Sequence, residues 1–423
     1  MLTELALYVI LTRRRRWSQE RVRRRQDRLL QELVRHAFNN VPFYRRRYEA
    51  AGVHPEKVRG LDDLSELPVV RKPDIRRLEQ EAPVLAAGVD RGKCRSVQTS
   101  GSTGIPLTIF FSRLEEARRE AAFHRGMVDM IGRFWFRALR IGGIRPTRRR
   151  GPFGLNPRHL IRKTVTIEEA ASAARQFKPH MITGLLSQVQ LLALQLQRDG
   201  SWKHPVELVA TGGETLLPPV RSLLEQVFRA PVGPYYGSWE FGLIAASCPS
   251  GQGYHVCTDD LVVECLKDGR PVAAGEEGEI VLTSLTSRVM PFIRYGIGDI
   301  GIPGEGRCPC GHPYARLEDV RGRSDDFLLR ADGQTVSPHL ASLPLYGLED
   351  LRQFRITQET RRRFRVEYVS DQPLAGSDLE NIRRYYAEEL MADETILCRV
   401  LDIPPDPSGK LRKFISLVRG PAG

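Results

Sequence analysis

The chain reads as an α/β protein: a large domain of alternating helices and strands, followed by a small α+β domain. Three observations predict this. Residues 81–325 alternate helical patterns with short apolar strand segments, the rhythm of a largely parallel sheet. From Gly275 strand signals dominate, in GEIVLTSLT and PFIRYGIGDIGIP. Beyond residue 326 the pattern changes again: FRITQ, FRVEYV and ILCRVLDIP read as strands around the helical DLENIRRYYAEEL.

Taken in order, the chain opens on a basic segment, residues 1–38. The first 50 residues hold 13 arginines against 5 acids. Val22, Leu29, Leu30, Leu33, Val34, Ala37 and Phe38 recur at helical spacing, and Ser18 is the natural N-cap. Two readings stay open for this segment. It is an Arg-rich surface helix laid on the body, or an interfacial helix on anionic lipid with LALYVIL as its insertion tip. No reading motif for specific nucleic acid accompanies the charge. Residues 40–80 read as loop and short helices. MITG (181–184) and ELVATGG (207–213) read as buried strands ending in glycine turns, and LLSQVQLLALQLQRDG as a helix stopped at Gly200.

Composition limits the function classes. With 423 residues, 41% of them hydrophobic, the chain can bury a core and carry two or three domains. A net charge of +13 favours acidic small molecules or anionic surfaces as partners. Seven cysteines are too few for a disulfide framework in a chain this long, which fits a reducing compartment. No apolar run approaches the ~20 residues of a membrane helix, and positive charge follows rather than precedes the first apolar run. The expected location is the cytoplasm, with peripheral membrane contact as the open alternative.

Six segments carry chemistry. In SVQTSGSTGIPLTIFFS (96–112), the small residues Thr99 to Gly104 let the backbone approach a polyanion, with hydroxyls as further donors. This is not a Walker loop, because no Gly-Lys-Ser/Thr occurs. ATGGETL (210–216) and PYYGSWEFG (234–242) each end an apolar strand in a glycine turn followed by an acid. Glu240 can give one carboxylate to a magnesium otherwise held by water and phosphate, and Tyr236 offers a face to an adenine. RYGIGDI (294–300) places Asp299 where a carboxylate can accept both ribose hydroxyls. GRSDD (322–326) lies at the change of composition, and DPSGKLRKF (406–414) sets Lys410 on a Ser-Gly turn.

In this order and spacing the set resembles the adenylate-forming superfamily of acyl-CoA synthetases, adenylation domains and luciferases. NNVPFYRRRYEAAG (39–52), LDDLSELPVVRKPDIR (61–76) and the Ile105-Pro106 ending of the first loop resemble its phenylacetate–CoA ligase branch, shorter capsule-biosynthesis and coenzyme-modifying members included. The resemblance spans about residues 28–418. It implies a large ATP- and acid-binding domain (39–325) with mixed sheets and helices, and a small mobile C-terminal domain (326–423) joined by a hinge at Asp325. Thr99, Ser100, Gly101, Ser102, Thr103 and Gly104 would hold the β- and γ-phosphates. Gly212, Gly213 and Glu214 would flank the adenine, with Tyr236 stacked on it. Gly237 and Ser238 shape the turn that carries Glu240, the magnesium ligand. Asp299, assisted by Arg323, would grip the ribose, and Lys410 would bridge the α-phosphate and the substrate carboxylate. The reaction implied is ATP-dependent activation of a carboxylic acid, followed by transfer to CoA or to a hydroxyl or amine acceptor. A non-catalytic, membrane-associated relative is the alternative. The family turn is Tyr-Gly-x-Ser/Thr-Glu; here Trp239 stands where the hydroxyl is usual. Residues around 122–145, 184–187, 212–214 and 236–243, with Phe134, Trp135, Phe136, Trp239 and Phe241, are expected to shape the acid pocket.

The cysteines add one constellation. Cys308-Pro-Cys310-Gly is a tight thiol pair, and upstream lie Cys248 and His255. Three thiolates and an imidazole would make a closed, structural zinc site, with Cys257 as a substitute ligand. Unliganded thiols in a loop are the alternative. Cys94, Cys265 and Cys398 are expected at ordinary buried positions.

Overall fold

The computed structural model describes residues 2–78, 83–98, 107–143, 148–149, 158–162, 165–200, 202–323, 327–346, 348, 351–406 and 411–418. It divides into two compact units: residues 1–213 with 224–320, and residues 214–223 with 321–423.

The first unit is built on one long mixed sheet. Its parallel part runs Arg158–Arg162, Ala138–Gly143, Met181–Leu185, Leu208–Gly212, Val232–Ser238. The strands Met181–Leu185 and Leu208–Gly212 are buried almost throughout, as expected for parallel strands covered on both faces. The sheet then continues antiparallel through Gly242–Ser247, Tyr254–Val256 and Arg316–Arg323, and on through Tyr295–Pro303, Gly278–Ser284 and Leu261–Lys267. The change from parallel to antiparallel falls at the turn after Ser238, where Glu240 sits.

Local signals explain the helices. The helix Leu186–Asp199 ends at Gly200, whose φ of 60° is the left-handed stop that glycine supplies without strain. The helix Arg113–Ile131 starts in a full capping box, with Ser112 and Glu115 each accepting the other's backbone N–H. Ser18 caps the helix Gln19–Asn40 as its position predicts, its Oγ accepting the N–H of Arg21 at 3.2 Å.

The N-terminal apolar run forms the helix Leu2–Arg14, and one face of it is occupied. Tyr8 and Leu11 are buried against Ala121 of the helix Arg113–Ile131, and the Tyr8 ring lies 5.0 Å from that of His124. Val9 and Ile10 stay exposed. Among the described residues no helix is long and apolar enough to cross a membrane.

The second unit holds a four-stranded sheet in the order Glu394–Arg399, Arg363–Ser370, Leu351–Thr360, Phe414–Ser416, with the helix Gly376–Glu389. Phe354, Ile356, Phe364, Val366, Tyr368, Ile382 and Tyr386 are buried, the alternation in the strands matching the two-residue period of FRITQ and FRVEYV.

Candidate active site and a cysteine–histidine cluster

The strand Leu208–Gly212 delivers Gly212 beside Tyr235 in the parallel register, and Gly213 turns the chain with a φ of 82°. Val232–Ser238 and Gly242–Ser247 form a tight antiparallel hairpin in which Ser238 pairs with Gly242. A Cβ on Gly237 would lie 2.6 Å from the carbonyl oxygen of Gly242, so this hairpin closes only over glycine. Ser238 holds the turn from inside, its Oγ accepting the N–H of Phe241 at 3.2 Å.

Across the sheet, Tyr236 Oη donates to Asp299 Oδ2 at 2.5 Å, joining two positions 63 residues apart. Glu240 follows four residues after Tyr236, and its backbone oxygen accepts from Arg119 Nη1 at 2.9 Å. Among the described residues the Glu240 carboxylate takes no hydrogen bond and no ion pair. It lines a cleft with Phe110, Phe111, Arg119, Phe241 and Phe292. A carboxylate in that setting fits a magnesium that keeps waters and phosphate oxygens as its other ligands.

Of the other sequence-predicted residues, Glu214 falls in the second unit, where its carboxylate accepts the N–H of Leu411 at 3.3 Å. Arg323 ends the strand Arg316–Arg323 and belongs to the second unit. Thr99, Ser100, Gly101, Ser102, Thr103, Gly104, Asp325 and Lys410 lie outside the described residues. The strands that flank the first of these segments, Arg95–Gln98 and Thr108–Phe111, pair antiparallel with Gln98 opposite Thr108, so the Ser/Thr/Gly run joins the two arms of a hairpin.

The aromatic residues expected around the acid pocket have varied settings. Phe136 is a core residue stacked on His124 at 5.8 Å, Phe134 lies 5.8 Å from Tyr8, and Trp135 meets the edge of His180. Phe241 does line the cleft, while Trp239 is 41% exposed. Cys265 is buried as expected; Cys94 and Cys398 are only half-buried.

Cys248, His255, Cys308 and Cys310 converge, their ligand atoms all within 4.8 Å of one another. Two knuckle turns assemble them: Gly251 N–H bonds Cys248 O, and Gly311 N–H bonds Cys308 O. The strand Tyr254–Val256 brings in His255. Cys248 Sγ lies 3.6 Å from Cys308 Sγ, and Cys310 Sγ 3.4 Å from His255 Nε2. Tetrahedral zinc with Zn–S of about 2.3 Å and Zn–N of about 2.0 Å sets ligand atoms roughly 3.5–3.8 Å apart, so the donor set fits. Burial, with His312 stacked at 4.1 Å, pushes the His255 imidazole down to about 4, which leaves it neutral and able to ligate. Burial and the neighbouring thiols Cys308 and Cys248 push Cys310 up to about 11. Cys257 stands apart from the cluster, buried beside Arg125, with its thiol raised by burial to about 11.

Sequence reasoning missed a buried ionic group behind this cluster. Asp259 accepts from Arg125 Nη1 and from Tyr314 Oη, and Asp260 accepts from Arg118 Nε at 2.8 Å. Arg15 pairs with Asp129 at 2.8 Å, and Asp129 lies 3.6 Å from His312, so the N-terminal helix reaches the cluster through charge.

No protein-family model matches the chain. A phenylacetate–coenzyme A ligase of Thermus thermophilus is 25% identical over 94% of this chain and 97% of its own length. Another from Escherichia coli is 28% identical over 72% of this chain and 71% of its own. Over these spans the chain is similar in sequence to phenylacetate–coenzyme A ligases. The fold is that of a solved 2-hydroxyisobutyryl-CoA ligase in complex with an acyl-adenylate, similar with a TM-score of 0.76 over 92% of this chain and 88% of that one, at 21% identity. Trp239 stands where the turn of the family that the sequence resembles carries a hydroxyl.

Proposed function

We propose that the chain is an adenylate-forming acid ligase. A substrate carboxylate oxygen attacks the α-phosphorus of ATP, the bond to the β-phosphate oxygen breaks, and pyrophosphate leaves. The acyl-adenylate then gives its acyl group to a thiolate, releasing AMP. The observation that carries the reading is the meeting of Tyr236 with Asp299 beside the turn of Glu240, where the parallel strands end and ligands of open α/β sheets bind.

Each residue has a task in this reading. The Tyr236 ring stacks on adenine while its hydroxyl orients Asp299, whose carboxylate takes the ribose hydroxyls, with Arg323 assisting. Gly212, Gly213 and Glu214 border the base. The backbone and hydroxyls of Thr99 to Gly104 take the β- and γ-phosphates, and Lys410 sits between α-phosphate and carboxylate as a compact charge. Glu240 would hold the magnesium, which supplies charge neutralisation of the phosphates. The small C-terminal domain turns about Asp325 between the two half-reactions. CoA is the acceptor favoured by the curated relatives. An aromatic acid is the favoured substrate class. Transfer to a hydroxyl or amine remains the second chemistry, and loss of CoA-dependent thioester formation with retained adenylation would select it.

Cys248, His255, Cys308 and Cys310 hold a structural zinc in this reading, since four protein ligands leave no open position. The side of the N-terminal helix that carries Tyr8 and Leu11 packs on the body, which supports the surface-helix reading over lipid insertion. Flotation with anionic liposomes, with and without residues 1–27, tests that choice.

The function itself is tested by separating the half-reactions. Lys410→Ala should abolish adenylate formation and leave thioester formation from supplied acyl-adenylate nearly intact. Equal loss of both steps would remove Lys410 from its assigned role.

A further inference from the structure

Arg119 is unlike its charged neighbours on the helix Arg113–Ile131. Arg118 and Arg125 pair with the carboxylates of Asp260 and Asp259. Arg119 spends its guanidinium on main-chain oxygens instead. Nη1 donates to Glu240 O at 2.9 Å, and Nη2 donates to Trp239 O at 2.6 Å. Among the described residues it makes no ion pair. The same guanidinium lies 4.9 Å from the centre of the Phe111 ring. Phe111 ends the strand Thr108–Phe111, which pairs antiparallel with Arg95–Gln98. The turn also packs on this side chain: a Cβ at Gly242 would sit 3.6 Å from the Arg119 stem.

One planar fork therefore joins the strand Thr108–Phe111, through the Phe111 ring, to the turn that carries Glu240. A fork of two parallel donors fixes two successive carbonyls, and so fixes the peptide planes around Glu240. At 239 the hydroxyl usual in the family that the sequence resembles is replaced by Trp239, which is 41% exposed. The turn is thus held through its backbone, by Arg119 outside and Ser238 inside.

We propose that Arg119 is the positioning residue for the Glu240 carboxylate, setting the turn so that Glu240 can take the nucleotide's divalent cation. This rests on the adenylate-forming reading above. Arginine acts here through Glu240 and touches neither substrate nor metal.

The test uses the full chain as wild type, Arg119→Ala, Arg119→Lys, Glu240→Gln and the Arg119→Ala/Glu240→Gln double variant. Binding of Mn2+ to the protein–ATP complex is read by electron paramagnetic resonance, and folding by thermal melting. Exchange of pyrophosphate into ATP is followed against magnesium concentration. Outer-shell substitutions typically weaken metal affinity by about 10- to 100-fold, and Arg119→Ala should fall in that range. Arg119→Lys, which keeps one donor, should recover part of the affinity. In the Glu240→Gln background Arg119→Ala should add nothing. Unchanged Mn2+ affinity in folded Arg119→Ala, or additive losses in the double variant, would overturn the proposal. If Arg119→Ala does not fold, Arg119→Lys is compared with Glu240→Gln in the same assays, and wild-type Mn2+ affinity in it overturns the proposal. A wild type that exchanges no pyrophosphate with any acid, yet binds Mn2+–ATP through Arg119 and Glu240, would defeat the ligase reading and leave this inference standing.

Discussion

Tyr236 Oη hydrogen-bonds Asp299 Oδ2 at 2.5 Å, linking the strand that enters the Glu240 turn to the strand Tyr295–Pro303. A hydrogen bond to an ionised carboxylate is worth about 1.5–3 kcal/mol. Its hydroxyl also orients the Asp299 carboxylate. Tyr236→Phe keeps the ring and removes this hydrogen bond. The KM for ATP should rise by about 10- to 150-fold with kcat little changed, the range that losing one such bond corresponds to. Steady-state kinetics against ATP checks this. An unchanged KM would remove Asp299 orientation from the account.

Purified protein should carry zinc at one atom per chain by elemental analysis. Cys308→Ser and Cys310→Ser should each lose it and lower the melting temperature while the nucleotide turn stays in place, since the cluster sits on its own pair of knuckles. Metal-free wild type that melts no lower than a zinc-loaded sample would dispose of the site.

Arg125 and Asp259 are both almost wholly buried, at 3% and 2% exposure of their side chains. Removing one partner of such a pair strands the other, at a cost of about 3–5 kcal/mol. Arg125→Met should therefore destabilise the first unit severely in denaturant unfolding. Replacing both as Arg125→Met/Asp259→Leu should recover much of the loss. A single variant within experimental error of wild type would contradict the packing described.

Lys413 is buried in the second unit, its ammonium 5.5 Å from the Phe354 ring centre. Burial lowers its pKa from 10.5, with Glu214 opposing. A lysine whose pKa falls on folding is more readily protonated in the unfolded chain, so stability rises with pH. The gain accrues between the lowered folded value and 10.5, and the penalty is in full force below that window. Lys413→Met should flatten this alkaline rise in melting temperature. The same pH profile in wild type and variant would show that Lys413 is not the group responsible.

Much of the fold was legible because its signals are local. Ser18 and Gly200 mark helix ends by their own chemistry, and the apolar runs at 181–184 and 207–213 become strands because nothing else in them competes. The residues proposed for the nucleotide stand out as a set only through order and spacing that resemble a family, and Thr99 to Gly104, Asp325 and Lys410 lie outside the described residues. What stayed hidden was pairing across the fold. Arg14, Arg15, Arg118 and Arg125 look in sequence like parts of solvated charge runs. Only tertiary packing turns them inward onto Asp259, Asp260 and Asp129. Arg119 is invisible for the same reason, since its partners are backbone oxygens that leave no trace in residue type. Phe136 shows the converse error: an aromatic near a predicted pocket serves the core instead.

The central claim is that this chain adenylates a carboxylic acid. ATP–pyrophosphate exchange, with magnesium and without CoA, against a panel of aryl, arylacetic, fatty and hydroxy acids tests it most directly. The account predicts acid-dependent exchange with one class of the panel, abolished in Lys410→Ala. No exchange with any acid, from protein that is folded and metal-loaded, would contradict it.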